Sequence, residues 1–260
     1  IWNMSRFVLM NLEDTKADAQ PDPSTFDLSD QWLFARLNQT IASVTAKFDK
    51  FEFGEAERDL YNFIWNELAD WYIEMSKEVL YGEDDTAKAA KRVNLRYVLD
   101  NVLRLLHPIM PFVTEKIWLT MPHTGESIVT ASYPTTNAAF DNDEAISRME
   151  AIIELIRAVR GIRTDVNAPL SSPIDMQIKL QDASLEAIFK DNFEFIDRFV
   201  HAKGYEVGTN LDTPALAASA VINGATIYVP LAELIDLDEE IAKLTKDAKK
   251  LDQEITRFEK

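Results

Sequence analysis

Apolar residues recur every three or four positions through most of the first half of the chain. In one such segment the apolar positions are Leu33, Leu37, Ile41 and Val44. This spacing places their side chains on one face of an α-helix, which is stable only when another element covers it. Ser29 precedes the segment as a candidate N-cap, because its hydroxyl can accept a hydrogen bond from a backbone N–H of the first turn.

A series of helices is predicted in this half, and the short connections between them favour an antiparallel bundle. They cover residues 1–12, 54–81 and 85–106, with one further helix beginning at Ser29 and another at Pro111. Gly82 follows the third helix in the position of a C-terminal glycine, and Pro108 ends the fourth. Residues 13–27 are acidic and contain two prolines, so they are predicted to be a loop.

The pattern changes after Pro122. Residues 127–134 are predicted to be extended, and residues 142–164 and 184–201 to be helical. Between these two helices, residues 174–180 (IDMQIKL) alternate apolar and polar side chains, which is typical of a half-buried strand.

Asn223 and Gly224 separate two further alternating runs in SAVINGATIYVP, residues 219–230. This dipeptide is a strong signal for a β-hairpin, because both residues of the tight turn must tolerate positive φ. Residues 136–232 are therefore predicted to be a small α+β module.

The last segment repeats its apolar residues with spacings that alternate between three and four. They are Leu234, Leu237, Ile241, Leu244, Ala248, Leu251, Ile255 and Phe258. This unbroken heptad pattern predicts one helix of a coiled coil at 233–260, whose partner helix is expected outside the sequence. The predicted fold class is mainly α, with an antiparallel helical bundle at 1–135, the α+β module at 136–232, and this helix.

The composition excludes several kinds of function. The 27 basic and 44 acidic residues give a formal net charge of −17, which excludes a uniformly basic nucleic-acid-binding surface but not a local basic patch. The absence of cysteine excludes disulfides, a thiol nucleophile and thiolate metal ligands. No glycine-rich phosphate loop, histidine pair with metal-ligand spacing or long apolar run occurs. We therefore predict no catalytic residue, no metal ligand and no membrane span.

Three groups of basic residues are candidates for binding RNA phosphates. They are Lys88, Lys91, Arg92 and Arg96 on one face of the fourth helix; Arg157, Arg160 and Arg163 at spacings of three; and Lys243, Lys246, Lys249 and Lys250 among the heptads. Taken alone, each group is more commonly a solvated helix face.

Arg6 and Phe7, with Asn3 one turn earlier, form a fourth candidate. An exposed phenylalanine can stack an unstacked RNA base while its polar neighbours contact adjacent groups of the RNA. The alternative is that Phe7 belongs to the core.

Four segments resemble a known family. LLHPIMPFVTEKIW (105–118) closely resembles the end of the helical anticodon-binding domain in class I aminoacyl-tRNA synthetases for branched aliphatic amino acids. WNMSRFVLMNL (2–12) resembles the helix that follows the catalytic domain of those enzymes. Residues 28–38 and 61–77 resemble other parts of the bundle.

Three later segments resemble the valine-specific members of this family. They are VRGIRTDVN (159–167), the strand pair containing INGATIYVPL (222–231), and the acidic start of the coiled coil at 234–255.

The resemblance implies that the chain is the tRNA-binding part of an enzyme that attaches valine to tRNA(Val) with ATP and Mg²⁺. The family's ATP-binding motifs, HIGH and KMSKS, do not occur in this sequence. The resemblance therefore places ATP, Mg²⁺ and the editing site in other regions of a parent chain, and no cofactor in this one. The expected partners are tRNA(Val) and the catalytic domain of the same chain, in a cytoplasmic, monomeric parent.

The resemblance also suggests roles for the candidate residues. Phe7 is expected to stack the central anticodon base, and Arg6 and Asn3 to contact its neighbours. The basic groups would hold the RNA backbone, and the coiled coil would brace the outer corner of the tRNA.

Other interpretations stay open at this point. The bundle segments alone also fit the isoleucine- and leucine-specific enzymes of the family. A coiled-coil scaffold without an RNA function explains the heptads and the acidity, but not the bundle segments. An enzyme with an unrecognised site is a third alternative.

Overall fold

The computed structural model describes residues 1–166, 168–169 and 172–234, together with the single residues Thr245, Ala248, Lys249, Leu251 and Ile255. The coiled-coil helix predicted at 233–260 therefore lies almost wholly outside the described residues. The chain divides into two compact units, residues 1–149 and residues 150–260, each of which is considered by itself. The three-part division predicted from the sequence stays a prediction.

The first unit is helical, as the periodicity predicts. Its helices are α1 (Trp2–Met10), α2 (Leu28–Asp49), α3 (Phe53–Tyr61), α4 (Ile73–Tyr81), α5 (Asp85–Leu106) and α6 (Pro111–Trp118), and α7 (Asp143–Asp165) begins in it. Its core consists of large side chains that are almost fully buried, including Trp32, Phe34, Leu37, Phe63, Tyr72, Leu95 and Trp118. The mainly α fold class is confirmed.

The helix predicted at 54–81 is continuous, but its hydrogen bonding changes in the middle. Residues Asn62–Tyr72 form a π-helical segment, which joins α3 to α4. Its i→i+5 hydrogen bonds widen the turn and change which side chains share a face, and such segments are frequent at functional sites. In this segment Phe63 and Leu68 are buried, whereas Trp65 is exposed.

The start of α2 differs from the prediction. Its N-cap is Asp27, and Ser29 already lies inside the helix, so the prediction of Ser29 as the cap is wrong. The Asp27 carboxylate accepts a hydrogen bond from the backbone N–H of Asp30 at 2.8 Å, and the Asp30 carboxylate accepts one from the N–H of Asp27 at 3.4 Å. This reciprocal capping box satisfies two backbone donors, which a single serine hydroxyl cannot do.

Gly82 directly follows the end of α4 at Tyr81, as predicted, but its backbone is extended (φ −68°, ψ −166°) and not left-handed as in many C-terminal glycines. The extended segment predicted at 127–134 is wrong. Residues 127–134 do not form a strand, because Ile128–Thr130 is a 3₁₀ turn. The Ser127 hydroxyl accepts from the N–H of Val129 at 3.2 Å, and the Glu115 carboxylate accepts from the N–H of Ile128 at 3.1 Å.

The second unit is a small α+β module. It contains β1 (Ile174–Leu180), α8 (Leu185–Asp191), α9 (Phe193–Val200), β2 (Ala202–Gly208), β3 (Ala217–Ile222), β4 (Ala225–Pro230) and α10 (Leu231–Leu234). The strand order is β2-β1-β4-β3, with β1 parallel to β2 and antiparallel to β4. Alternate residues of β1 are buried from Ile174 to Leu180, as its pattern predicts.

Three features of this unit differ from the prediction. The helix expected at 184–201 is interrupted at Asn192, and β2 follows it. His201 makes the turn between them with a left-handed backbone (φ 51°, ψ 55°). In the β3–β4 hairpin, Gly224 has φ +76°, but Asn223 is not in the positive-φ region, so the expectation that both turn residues need positive φ is wrong.

No helix among the residues described here is both long enough and apolar enough to cross a lipid bilayer.

Candidate nucleic-acid interface

A groove of about 480 Å³ lies between α1 and the helix that contains the π segment. Asn3 and Phe7 line it from α1, and Trp65, Asp70 and Lys77 line it from the opposite side. Its volume is within the range of small-molecule sites, about 300–1,000 Å³.

Helix α1 is held in place by its buried side, which leaves its polar side open. Met4 and Val8, one turn apart, are buried, whereas Asn3 and Arg6 are exposed. The side-chain amide of Asn11 donates to the carbonyl of Phe7 at 2.9 Å and so closes the end of the helix.

Phe7 is half-buried, so it is neither a core residue nor a fully exposed one. The ammonium of Lys77 lies 5.7 Å from the centre of its ring, at the distance of a cation–π contact. Lys77 also forms an ion pair with Glu74 at 2.6 Å. A base that stacks on the same face of Phe7 therefore displaces Lys77 or lies beside it.

The opposite wall supplies an aromatic plane and a hydrogen-bond acceptor. Trp65 is 51% exposed, although most large apolar side chains of this segment are buried. Asp70 is exposed, and its carboxylate has no hydrogen bond or ion pair with any residue that the structure describes. Aromatic planes combined with hydrogen-bonding edges are the features that bind unstacked RNA bases.

Arg6 does not line this groove. It lines a neighbouring depression of about 260 Å³ together with Trp2, Leu9 and Ile117. The structure thus brings Asn3 and Phe7 together and places Arg6 beside them, on the other side of Trp2, which lines both spaces.

Two members of the first basic group lie inside the unit. Lys91 is 3% exposed, and its ammonium lies 2.8 Å from the Asp27 carboxylate and 2.7 Å from the Asp30 carboxylate. Arg96 is also buried and donates to the carbonyl of Ala19 at 2.8 Å. These two cations have internal partners and no access to an RNA phosphate, so they do not belong to the interface.

The surroundings of Lys91 shift the pKa values of its partners. Burial raises the pKa of Asp30 above its ordinary value, despite the nearby Lys91 ammonium. Asp27 is only partly desolvated, since its side chain is 47% exposed; the Lys91 ammonium and hydrogen bonds from Lys91, Ser29 and Asp30 outweigh that desolvation and lower its pKa. The Tyr72 hydroxyl donates to Asp30 at 2.6 Å, and burial holds the pKa of Tyr72 well above its ordinary value.

The side chains of the other two members of this group are partly exposed, 20% for Lys88 and 28% for Arg92. Lys88 forms an ion pair with Asp85 at 2.9 Å, and Arg92 lies 3.9 Å from Glu13. Such pairs at an exposed surface are weak and leave the cations available to a stronger anion.

The second basic group divides in the same way. Arg163 is buried and donates to three backbone carbonyls, those of Pro169 at 2.7 Å, Ser172 at 2.6 Å and Val200 at 2.7 Å. Its burial lowers the pKa of the guanidinium below the ordinary value. Arg160 lies 5.4 Å from the centre of the Phe199 ring, and Arg157 is exposed. Arg163 is therefore a structural residue of the second unit.

Of the third group, Lys249 is exposed. Lys243, Lys246 and Lys250 lie outside the described residues, and their role stays a prediction.

Sequence reasoning missed Trp65, Asp70 and Lys77. The sequence points to them only indirectly: Trp65 lies outside the apolar stripe of its helix, so its large side chain is not needed for the core. The π segment, which decides where these side chains point, leaves no comparable mark in the sequence.

Comparison with known proteins identifies the family of the chain. Residues 30–178 match the family described as the anticodon-binding domain of tRNA ligases. The match covers more than half of the chain, and the chain belongs to this family.

Similar proteins include several valine–tRNA ligases. A valine–tRNA ligase of Lacticaseibacillus casei is 66% identical over 260 residues, which are 100% of this chain and 29% of that protein. A valine–tRNA ligase of Latilactobacillus sakei is 62% identical over 94% of this chain and 28% of its own length. One from Enterococcus faecalis is 48% identical over 100% of this chain and 29% of its own length. The predicted resemblance to valine-specific enzymes is confirmed, and the chain spans less than a third of the curated relatives it matches.

Proposed function

We propose that this chain is the tRNA-recognition part of a valine–tRNA ligase and that its first unit reads an unstacked anticodon base of tRNA(Val). The observation that carries the proposal is the groove between α1 and the π segment, where Asn3, Phe7, Trp65 and Asp70 line one space. Stacking on an aromatic ring stabilises a bound base by about 1–3 kcal/mol.

The polar groups of the groove favour particular bases. The Asp70 carboxylate only accepts hydrogen bonds, so it pairs with the exocyclic amino group of adenine or cytosine and repels the carbonyl oxygen of uracil. The Asn3 amide can donate to the neighbouring ring nitrogen of the same base. Valine codons begin with GU, so their anticodons carry adenine at the centre and cytosine beside it, both of which present this pattern.

The charge of the chain limits how the rest of the tRNA is held. With a net charge of −17, the chain binds RNA weakly without base contacts, because nonspecific affinity depends on phosphate neutralisation. Of the three predicted basic groups, Arg157 and Lys249 are exposed, and Lys88 and Arg92 are partly exposed. In the parent enzyme, which we place in the cytoplasm, other regions supply the ATP and Mg²⁺ chemistry and further tRNA affinity.

The test compares two stem-loops that carry the valine anticodon, one with central adenine and one with central uracil. We expect the uracil RNA to bind the chain about 10-fold more weakly, since a good base-edge pair discriminates by about 1–3 kcal/mol. Asp70→Asn should reduce this ratio, because the amide also offers a donor to the uracil oxygen. Glu126→Gln, which neutralises an exposed acid outside the groove, is the matched control. Equal binding of the two RNAs to the unmodified chain contradicts the proposal.

A further inference from the structure

Two aromatic side chains lie exposed on the outer surface of the bundle, next to the groove. Tyr61 is 58% exposed and Trp65 is 51% exposed. They are four residues apart on one continuous helix, and their rings are nearly parallel, with an interplanar angle of 9° and centroids 6.2 Å apart. The core does not use these rings, and they present flat apolar faces to the outside.

The residues around this pair are polar. Asn62 and Asn66 are exposed, and the amide of Asn66 donates to the side-chain oxygen of Asn62 at 3.3 Å. Arg58, one turn before Tyr61, is exposed and forms an ion pair with Glu55 at 3.2 Å. Aromatic, amide and guanidinium groups side by side are typical of surfaces that bind single-stranded RNA.

Arg58, Tyr61, Asn62, Trp65 and Asn66 form a strip along the helix, and this strip is continuous with the groove because Trp65 belongs to both. From Trp65 the strip runs along the helix towards Arg58 and away from Phe7. An RNA strand with one base in the groove leaves the groove either past Phe7 or past Trp65. If it leaves past Trp65, its next base meets the exposed ring of Tyr61.

We propose that Tyr61 and Trp65 form a stacking platform for the unpaired nucleotide next to the base held in the groove, with Arg58 contacting its phosphate. This inference rests on the proposed function. The platform accepts any base, because every base offers a π-face to an aromatic ring. It therefore adds affinity without adding base specificity.

The observations favour RNA over a protein partner. A stable protein interface buries at least about 1,000 Å², with a central cluster of apolar side chains. Here two aromatic rings are surrounded by amide and charged groups, which suits stacking with phosphate contact better than a dry apolar patch.

The test measures binding of the valine anticodon stem-loop to Tyr61→Ala, with Phe112→Ala as the control. Phe112 is 90% exposed and lies on α6, outside the strip. We expect Tyr61→Ala to weaken binding about 10-fold, which is the size of one base–aromatic stack, and Phe112→Ala to leave it unchanged. Tyr61→Phe keeps the ring and should bind normally, which distinguishes stacking from a hydroxyl contact.

Two stem-loops, each with an abasic nucleotide on one side of the recognised base, show which neighbouring nucleotide stacks on the platform. At the correct position it should weaken binding to the unmodified chain, and Tyr61→Ala should then cause no further loss. A Tyr61→Ala affinity within twofold of the unmodified chain overturns the platform, as does an equal loss with both abasic RNAs.

The failure of the platform differs from failure of the proposed function. If adenine and uracil RNAs bind equally while Tyr61→Ala still weakens binding, base readout in the groove is wrong and the platform stands. If discrimination persists while Tyr61→Ala has no effect, the platform is wrong and the groove stands. No RNA binding at all overturns both.

Discussion

Lys91 lies inside the first unit between two carboxylates, and one substitution tests how much this arrangement stabilises the fold. Lys91→Met removes the charge, while the unbranched side chain of methionine fills most of the same space. The substitution therefore removes two ion pairs, to Asp27 and Asp30, without opening a large cavity.

The size of the effect follows from the groups left behind. Asp30 is 2% exposed, and without Lys91 its carboxylate keeps the Tyr72 hydroxyl at 2.6 Å and the backbone N–H of Asp27 at 3.4 Å as donors. A buried charge that loses its partner costs about 3–5 kcal/mol. This is a large fraction of the about 5–15 kcal/mol by which folded domains are stable.

Tryptophan fluorescence during urea unfolding measures this loss. The five tryptophans, Trp2, Trp32, Trp65, Trp71 and Trp118, all lie within residues 1–149, so the signal reports on the first unit alone. Lys88→Met is the matched control, because its ion pair with the almost fully exposed Asp85 is worth about 0–1 kcal/mol. A loss for Lys91→Met no larger than that for Lys88→Met would refute the internal role.

The stability lost in Lys91→Met depends on pH, and the direction of this dependence follows from the pKa shifts of its two partners. Burial raises the pKa of Asp30, so its contribution to stability is present below the ordinary carboxyl pKa and is lost as the pH rises through the folded value. Asp27 is partly exposed, and although partial desolvation opposes its ionisation, Lys91 lowers its pKa, so its contribution is present above the ordinary pKa and is lost as the pH falls through the folded value. Lys91→Met removes the attraction that favours the ionised form of both carboxylates. Protonation of a carboxylate then removes its unpaired negative charge and the cost of that charge. The deficit of the variant should shrink as the pH approaches about 4, and a deficit that grows on acidification contradicts the argument.

Three further substitutions have expected outcomes. Arg163→Met leaves three backbone carbonyls without their charged donor and should destabilise the second unit by about 3 kcal/mol or more; faster amide hydrogen exchange in β1 would show it, and unchanged exchange would count against it. Gly224→Ala places a Cβ 2.9 Å from Leu185 at a φ of +76°, which should cost about 1–3 kcal/mol in the same exchange measurement; no loss would mean that the hairpin turn relaxes freely. Phe7→Ala should weaken stem-loop binding about 10-fold with little change in the urea midpoint, and binding within twofold of the unmodified chain would exclude a stacking role for Phe7.

The sequence predicts those elements whose causes are local. The helix expected at 85–106 begins after Asp84, whose carboxylate accepts from the N–H groups of Thr86 and Ala87, and it is observed at Asp85–Leu106. The strand expected at 174–180 is observed as β1, because its alternation matches one buried face. Helix capping and apolar periodicity depend on residues only a few positions apart, so both can be predicted from the sequence alone.

Features that depend on distant partners could not be predicted in this way. β2 pairs in parallel with β1, and its sequence AKGYEVG carries two glycines and no clear alternation. Lys91 and Arg163 have the spacing of a basic face, but their partners come from other segments of the chain, and spacing does not reveal burial. For the candidate site, Asn3 and Phe7 were identified correctly as neighbours on one helix. The wall opposite them depends on the π segment, whose hydrogen-bond shift the apolar pattern does not show.

The most direct test of the central claim is chemical modification of the anticodon bases in the complex with the chain. Dimethyl sulfate methylates adenine at N1 and cytosine at N3, the ring nitrogens on the edge that Asn3 and Asp70 are proposed to contact. The account predicts that the central adenine, the cytosine beside it, or both become protected when the unmodified chain binds, and that Asp70→Asn reduces this protection at saturating protein. Full reactivity of both bases in a complex that is demonstrably formed would contradict base recognition in the groove.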